Sequence, residues 1–200
     1  MNPKAQGAQE VSASTPPSIR PLRADAQRNR ARILEAAEAV FAAEGIEVPV
    51  DTIAAKAGVG VGTLYRHFPT KEKLCEAILL DRMTEITADA RALATAEDPS
   101  VAFFGFLEHF TAMGRAKRDL LVAVSGAGVD FEHAIADVKD ELRAAVEVLL
   151  QRAQAVGAVR PDVTAAAVLS LVSATCHASG QGCAASELLT VVCDGLRSGG

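Results

Sequence analysis

The sequence predicts an all-α protein, and three observations support that fold class. Alanine, the residue with the highest helix propensity, occurs 39 times in 200 residues. Aromatic strand formers are scarce, with one Tyr, seven Phe and no Trp. Apolar residues recur at intervals of three and four, and no segment alternates as a half-buried strand does. Half of the residues are hydrophobic and 22% are charged, so the helices can bury a substantial core.

The first predicted helix follows a proline-rich N-terminal segment and ends near Gly45. Its apolar residues have the i, i+1, i+4, i+7, i+8 spacing of one helical face. An extended connection around Pro49 comes next, because proline disfavours the α conformation in the residue before it. The apolar residues of the helix are Ile33, Leu34, Ala37, Val40 and Phe41.

Two short helices, 52–57 and 60–68, then flank a tight turn at Gly58. Asp51 or its neighbour is the expected cap of the first helix. Glycine suits the turn because it adopts positive φ at little energetic cost. This arrangement has the dimensions of a helix-turn-helix, and a longer helix is predicted over 71 to about 92.

The second half of the chain is also predicted to be helical. An apolar face over 103–113 and a short buried run over 120–124 precede a long helix over 131–157. Two further helices are predicted over 165–178 and 185–197. The first of these two helices is preceded by Val163, a candidate hydrophobic staple, and by Thr164, a candidate N-cap.

Charge is distributed unevenly along the chain, whose net charge is −5. Residues 1–75 carry 10 Lys and Arg against 8 Asp and Glu, whereas residues 76–200 carry 10 against 17. A nucleic-acid-binding surface is therefore expected in the N-terminal part. The N-terminus does not resemble an export signal, and polar residues interrupt the uncharged stretch 163–186. We therefore expect a cytoplasmic protein that has no membrane partner.

The second short helix is too polar and too rich in glycine for a core element. Gly60 and Gly62 each cost roughly 0.5–1 kcal/mol relative to alanine in a helix, and close approach to another backbone is one reason for their presence. The surrounding donors suit phosphate oxygens, and one of them begins the next helix, where an anion is favoured. These donors are Thr63, Tyr65, His67 and Lys71.

The stretch from Ile33 to Leu74 strongly resembles the DNA-binding domain of TetR-family transcriptional regulators. Its most specific feature is the spacing Ala-Gly-Val-x-x-Gly-Thr-Leu-Tyr-x-His-Phe-x-x-Lys, which begins at Ala57 and ends at Lys71. One position departs from the family, because Gly60 replaces the serine that commonly caps the recognition helix. The start of this helix is therefore expected to be less firmly fixed, and its base contacts less predictable.

The resemblance implies two kinds of DNA contact within one surface. Phosphate contacts would come from Thr63, Tyr65, His67 and Lys71. Candidates for facing the bases are Val61, Gly62 and Arg66, and Thr52 completes the predicted DNA-binding set.

The resemblance also implies a domain organisation and a function. Residues 1–22 would form a flexible basic arm, residues 23–72 the three-helix helix-turn-helix DNA-binding domain, and residues 73–200 a helical effector-binding and dimerisation domain. The expected protein is a dimeric regulator, a repressor that a small apolar molecule releases from a palindromic double-stranded DNA operator. No catalytic residue, metal or cofactor is predicted.

Four phenylalanines between residues 103 and 110 are either ordinary core or the wall of an apolar effector pocket. The predicted pocket residues are Phe103, Phe106, Phe110, Met113 and Val124. Candidate polar groups for the pocket are His109, Ser125, Asp130 and His133. The helices over 165–178 and 185–197 carry few charges, so we expect them to pair with the same helices of a second subunit.

Arginine side chains near the N-terminus have two interpretations. They form either a solvated basic arm or an extension that contacts the DNA backbone or minor groove. The residues are Arg20, Arg23, Arg28, Arg30 and Arg32.

Other functions stay open for the C-terminal part. It could bind a protein partner, or it could sense redox state or a metal through its cysteines, which otherwise pack as small hydrophobic residues. An enzyme is the least favoured class, because the chain has no GxSxG, HExxH or phosphate loop, and Thr63 replaces the third glycine of a dinucleotide fingerprint. The residues of the sensor hypothesis are Cys176, His177, Cys183 and Cys193.

Overall fold

The computed structural model describes residues 19–116, 131–178 and 184–199, and within them the chain forms eight α-helices. Apart from one isolated antiparallel bridge between Val159 and Arg197, these residues contain no β-structure. The all-α prediction is confirmed. The helices are α1 (Ile19–Glu44), α2 (Val50–Ala57), α3 (Val61–His67), α4 (Lys71–Leu93), α5 (Pro99–Ala116), α6 (Phe131–Ala155), α7 (Ala165–Ala178) and α8 (Ala185–Leu196).

The predicted apolar face of α1, from Ile33 to Phe41, is buried against the next three helices. The helix ends at Glu44, and Gly45 adopts a φ of +83° immediately after it. Its start differs from the prediction, because residues 19–22 of the expected arm are helical. Residues 1–18 lie outside the described part of the chain.

The turn between α2 and α3 forms as predicted. Gly58 adopts the left-handed conformation, with φ +63° and ψ 39°. Its backbone N–H donates to carbonyls in the last turn of α2, and the Val59 N–H donates to the Ala54 carbonyl at 3.0 Å. These bonds satisfy carbonyls that the end of α2 would otherwise leave free.

The capping prediction for α2 was wrong. The helix begins at Val50, and its N-cap is Pro49, which makes no side-chain capping bond. Asp51 instead lies in the first turn, where its carboxylate interacts favourably with the helix dipole. The N-cap of α3 is Gly60, which also lacks a side-chain cap.

The long helix α4 joins two hydrophobic clusters. Leu74 to Leu79 pack with α1, α2 and α3 in an N-terminal cluster, whereas Ile86 and Ala90 belong to a C-terminal cluster with α5 to α8. Ile135 of α6 is buried in the N-terminal cluster. The two clusters are therefore linked by α6 as well as by the covalent path through α4. The predicted boundary at residue 72 remains a prediction.

The C-terminal helices follow the sequence pattern closely. α6 is followed by Gly157 with φ +72°, and Thr164 accepts a hydrogen bond from the Ala167 N–H at 3.3 Å, as its predicted capping role requires. The predicted buried run 120–124 lies outside the described residues. Among the described helices, none combines the length and the hydropathy that crossing a bilayer requires.

Candidate nucleic-acid interface

One side of α3 faces solvent, and it carries the three residues predicted to face the bases together with Tyr65, a predicted phosphate contact. Val61 and Tyr65 are 36% and 46% exposed, and Gly62 and Arg66 are also exposed. Their i, i+1, i+4, i+5 spacing puts them on one face of the helix. Leu64 points to the opposite side and is 1% exposed. The helix therefore attaches to the protein by one face and leaves the other accessible.

Nothing within the described part of the chain requires glycine at position 62. Apart from its two chain neighbours and the backbone of its own helix, a Cβ atom added there would have no heavy atom within 4 Å, and the residue is in an ordinary helical conformation. A Cβ added at Gly60 would first meet the Thr63 hydroxyl, at 4.0 Å. Close packing among the described residues therefore does not explain either glycine, and the backbone at Gly62 is open to solvent on the exposed face.

The predicted phosphate contacts Thr63 and His67 are half-buried on the flanks of α3. Thr52 is also half-buried, in the first turn of α2, where its backbone N–H donates to the Pro49 carbonyl at 3.1 Å. The structure thus brings the predicted DNA-binding residues to adjacent elements. Their individual contacts with DNA remain predictions.

Lys71 has a structural partner that the sequence did not predict. Its ammonium donates to the Val48 carbonyl at 2.9 Å and lies 6.0 Å from the centre of the Phe41 ring. The N-terminus of α4 is capped by Thr70, and Glu72 already supplies a carboxylate in the first turn. A hydrogen bond from Thr70 lowers the pKa of that carboxyl. The N-terminus of α4 thus already has a side-chain cap and a carboxylate, and a phosphate contact by Lys71 remains a prediction.

Two arginines of α1 reach the segments on either side of α3. Arg32 donates from Nη2 to the Gly58 carbonyl at 3.3 Å, and the guanidinium carbon of Arg30 lies 5.6 Å from the centre of the Phe68 ring. Arg28 instead forms an ion pair with Asp25. The side chains of Arg20 and Arg23 lie outside the described residues. The sequence left these arginines with two interpretations, a solvated arm or a DNA-contacting extension, since side-chain partners in other segments have no local signal.

The predicted effector-pocket residues belong to the C-terminal cluster. Phe103 and Phe106 are fully buried, and Phe110 and Met113 are half-buried against the same cluster. His109 is exposed and lies 3.3 Å from Asp89, so this predicted polar group faces solvent. The pocket itself remains a prediction. Val124, Ser125 and Asp130 lie outside the described residues, as does the side chain of His133.

A groove of about 420 Å³ lies on the other side of α5, between that helix and α8. Phe104 and Leu189 contribute apolar surface, and Glu108 and Asp194 contribute carboxylates. Arg197 stacks on the Phe104 ring, with its guanidinium carbon 4.4 Å from the ring centre. The groove has no signal in the sequence, because it forms between helices about 80 residues apart.

The cysteines have the character of buried structural residues. Cys75 and Cys176 are buried and Cys193 is half-buried, and none of the three forms a disulfide. Burial raises the pKa of Cys75 to about 11 and also raises that of Cys193, which disfavours the reactive thiolate. Among the described residues, no cluster of three His, Cys, Asp or Glu side chains could bind a metal. Cys183 and the side chain of His177 lie outside those residues.

The last two helices each expose an apolar residue. Leu171 of α7 is 47% exposed and Val191 of α8 is 71% exposed. Val172, the next residue after Leu171, is fully buried in the C-terminal cluster. The two side chains differ in exposure because adjacent residues on a helix point about 100° apart.

An exposed helix-turn-helix that leads into a second helical domain is the architecture of a DNA-binding regulator. Comparison with known proteins gives the same result. Residues 33–78 match the family model described as bacterial regulatory proteins, tetR family. Residues 98–198 match the model of the C-terminal domain of SbtR-like transcriptional regulators.

Solved structures resemble the chain over most of its length. A TetR transcription regulatory protein from Mycobacterium vanbaalenii is 43% identical, with a TM-score of 0.71, and the match covers 88% of this chain and 99% of that chain. A TetR transcriptional regulator from Streptomyces coelicolor is 31% identical, with a TM-score of 0.68 and coverage of 86% and 99%.

A curated relative matches a shorter segment. An HTH-type transcriptional regulator of Staphylococcus aureus (strain USA300) is 46% identical over 59 residues, which are 29% of this chain and 32% of the relative. The chain thus covers about a third of that relative's length. The long structural matches establish that the chain belongs to the TetR family, whose members are DNA-binding transcriptional regulators and not enzymes.

Proposed function

We propose that this regulator binds a palindromic DNA operator as a homodimer, represses transcription, and leaves the operator when a small apolar molecule binds its C-terminal domain. The observation that carries the DNA-binding part is the exposed face of α3 around Gly62. A backbone without a side chain at this position can approach base edges in the major groove closely. Tyr65 and Arg66 lie beside it and can donate hydrogen bonds.

The exposed apolar residues of α7 and α8 support the proposed dimer. Leu171 and Val191 project outward, and the alanines Ala166, Ala167 and Ala174 are also exposed on α7. Small residues let helices approach closely, so these faces suit a contact with a second copy. Two recognition helices related by a two-fold axis would enter successive major grooves about 34–36 Å apart, which requires a palindromic site.

The path of α4 supports regulation by a ligand. The helix packs in both hydrophobic clusters, so a shift caused in the C-terminal cluster would reach the helix-turn-helix. A ligand that prefers the DNA-free form by about 2.7 kcal/mol would weaken operator binding about a hundredfold. The effector site is either the Phe-rich side of α5, which carries Phe103, Phe106 and Phe110, or the groove between α5 and α8.

Selection of random duplexes by the full-length protein tests the DNA-binding proposal. We expect enrichment of an inverted repeat. Arg66→Ala should relax the base preference at one position of each half-site, whereas Lys71→Ala should weaken binding to every duplex and lower the salt slope by about one. If no sequence is enriched, the operator proposal is wrong. An unchanged slope would mean that Lys71 acts only through the Val48 carbonyl.

A thermal-shift screen of small molecules tests the effector proposal, because a ligand of the folded state raises its melting temperature. Ala112 lines the groove and Met113 packs in the C-terminal cluster. Loss of the shift in Ala112→Trp would therefore assign the ligand to the groove, and loss in Met113→Trp to the Phe-rich side. If no compound shifts the protein and a protein partner releases it from DNA, the small-molecule proposal is wrong.

A further inference from the structure

The recognition helix has little core of its own to fix its orientation. α3 contains seven residues, and Leu64 is its only fully buried side chain. A helix this short is not stable in isolation and takes its position from packing. Contacts at its two ends therefore matter more than they would for a long helix.

Arg32 of α1 contacts the segment that precedes α3. Its Nη2 donates to the carbonyl of Gly58, the left-handed residue of the turn. A Cβ atom at Gly58 would lie 2.5 Å from the same Nη2. The guanidinium therefore occupies the space that the absent side chain leaves, directly over the turn.

Arg30 of α1 contacts the segment that follows α3. Its guanidinium lies over the ring of Phe68, at 5.6 Å, and Phe68 caps the C-terminus of α3 by donating its N–H to the Leu64 carbonyl at 2.8 Å. The Phe68 ring is itself buried in the N-terminal cluster, with 4% exposure. The cation thus packs on a fixed aromatic surface.

Neither guanidinium forms an ion pair within the described part of the chain, in contrast to Arg28, which pairs with Asp25. Their contacts are directed at the turn before α3 and at the C-cap after it. We propose that Arg30 and Arg32 are positioning residues that hold α3 from both ends and so set the angle at which its exposed face meets the bases. This inference rests on the proposed role of α3 in reading DNA.

The test compares discrimination with affinity. The full-length protein and the variants Arg30→Gln, Arg32→Gln, Arg30→Lys, Arg32→Lys and Arg28→Gln are titrated with the selected operator and with an operator altered at one base pair per half-site. The ratio of the affinity for the selected operator to the affinity for the altered operator should fall about three- to tenfold in each glutamine variant, since each removes one exposed contact. The lysine variants retain a cation or a donor and should recover most of the ratio.

Arg28→Gln is the matched control, because Arg28 lies on the same helix and does not touch the ends of α3. It should leave the ratio unchanged. If Arg30→Gln and Arg32→Gln instead weaken both duplexes equally and lower the salt slope by about one, they contact phosphates and the positioning proposal is wrong. An unchanged ratio and an unchanged slope would also overturn it.

Hydrogen exchange of the free protein keeps the inference separate from the proposed function. If α1 holds α3, Arg32→Gln should speed exchange of the α3 backbone amides while the rest of the N-terminal cluster stays protected. If the α3 amides exchange faster in Arg32→Gln but the protein shows no sequence-selective DNA binding, the operator proposal is wrong and the positioning proposal stands. Unchanged exchange in both glutamine variants would contradict the positioning role whatever the DNA result.

Discussion

Arg82 in the middle of α4 donates hydrogen bonds to both carboxylate oxygens of Glu38 in α1. Its Nε lies 2.8 Å from Oε1, and its Nη2 bonds to Oε2. The pair lies close to the boundary between the two clusters, because Arg82 is followed by Met83, which packs against the N-terminal cluster, and four residues later by Ile86, the first buried α4 residue of the C-terminal cluster. It therefore ties the DNA-binding part to α4 at the point where the helix passes from one cluster to the other.

This bidentate pair should be energetically coupled more strongly than an ordinary surface pair. Arg82 and Glu38 are 35% and 20% exposed, whereas Arg91 and Glu141, which link α4 to α6, are 58% and 57% exposed. We expect a coupling energy of about 1 kcal/mol for the first pair and less than about 0.5 kcal/mol for the second. Double-mutant cycles in urea measure both, and equal coupling energies would contradict the interpretation.

Gly58→Ala should impair DNA binding as well as stability. The left-handed conformation costs alanine roughly 1–2 kcal/mol, and the new Cβ would displace Arg32 from the turn. Gly45→Ala is the matched control, because Gly45 also has positive φ but open space around it. We expect both variants to lose stability in denaturant titrations. Only Gly58→Ala should also lose operator affinity when both proteins are folded. Equal operator affinity in the two variants would remove the special role of the turn.

Leu171→Glu should yield a folded monomer. Leu171 faces solvent in the single chain, so a charge there is tolerated until a second subunit covers it. Val172→Glu should instead unfold the C-terminal cluster, where Val172 is fully buried. Light scattering and circular dichroism separate these outcomes. A dimeric Leu171→Glu protein with unchanged affinity between subunits would require another interface.

Alkaline pH should destabilise the protein through Cys75. Its pKa rises from 9.0 to about 11 because the thiol is buried, so the folded state retains the proton more strongly than the unfolded state. The associated stability is present below about pH 9 and is lost between about pH 9 and 11, by roughly 2–3 kcal/mol. Cys75→Ala removes this dependence. Unfolding curves of the two proteins with the same pH slope above pH 9 would contradict the assignment.

The extent of the helices could be predicted from the sequence because their signals are local. The stripe of α1, the turn at Gly58 and the Thr164 cap each depend on residues within one or two turns of each other. The N-cap of α2 was mispredicted, since Pro49 already ends the preceding extended segment and the helix can begin without a side-chain cap. Local signals of comparable strength therefore do not fix every helix end.

The tertiary relationships around the site had no comparable signal. Ile135 and Leu79 belong to the same hydrophobic cluster, although 56 residues separate them along the chain. The ammonium of Lys71 donates to the Val48 carbonyl, in the connection before α2. Periodicity identifies which face of a helix is apolar but not which helix covers it. For this reason the candidate DNA-binding residues could be named from one motif, whereas the Arg30 and Arg32 contacts and the groove beside Phe104 could not be predicted.

The central claim is that the exposed face of α3 reads DNA, and Gly62→Ala tests it most directly. Alanine should raise the free energy of unfolding by about 0.5–1 kcal/mol, because the helix gains propensity and the Cβ meets no other atom. Gly105→Ala, in the middle of α5, is the matched control with equally open space. Both variants should be at least as stable as the native protein. Operator titrations should show that Gly62→Ala binds at least about tenfold more weakly while Gly105→Ala binds normally. Unchanged or tighter operator binding by Gly62→Ala would contradict the claim.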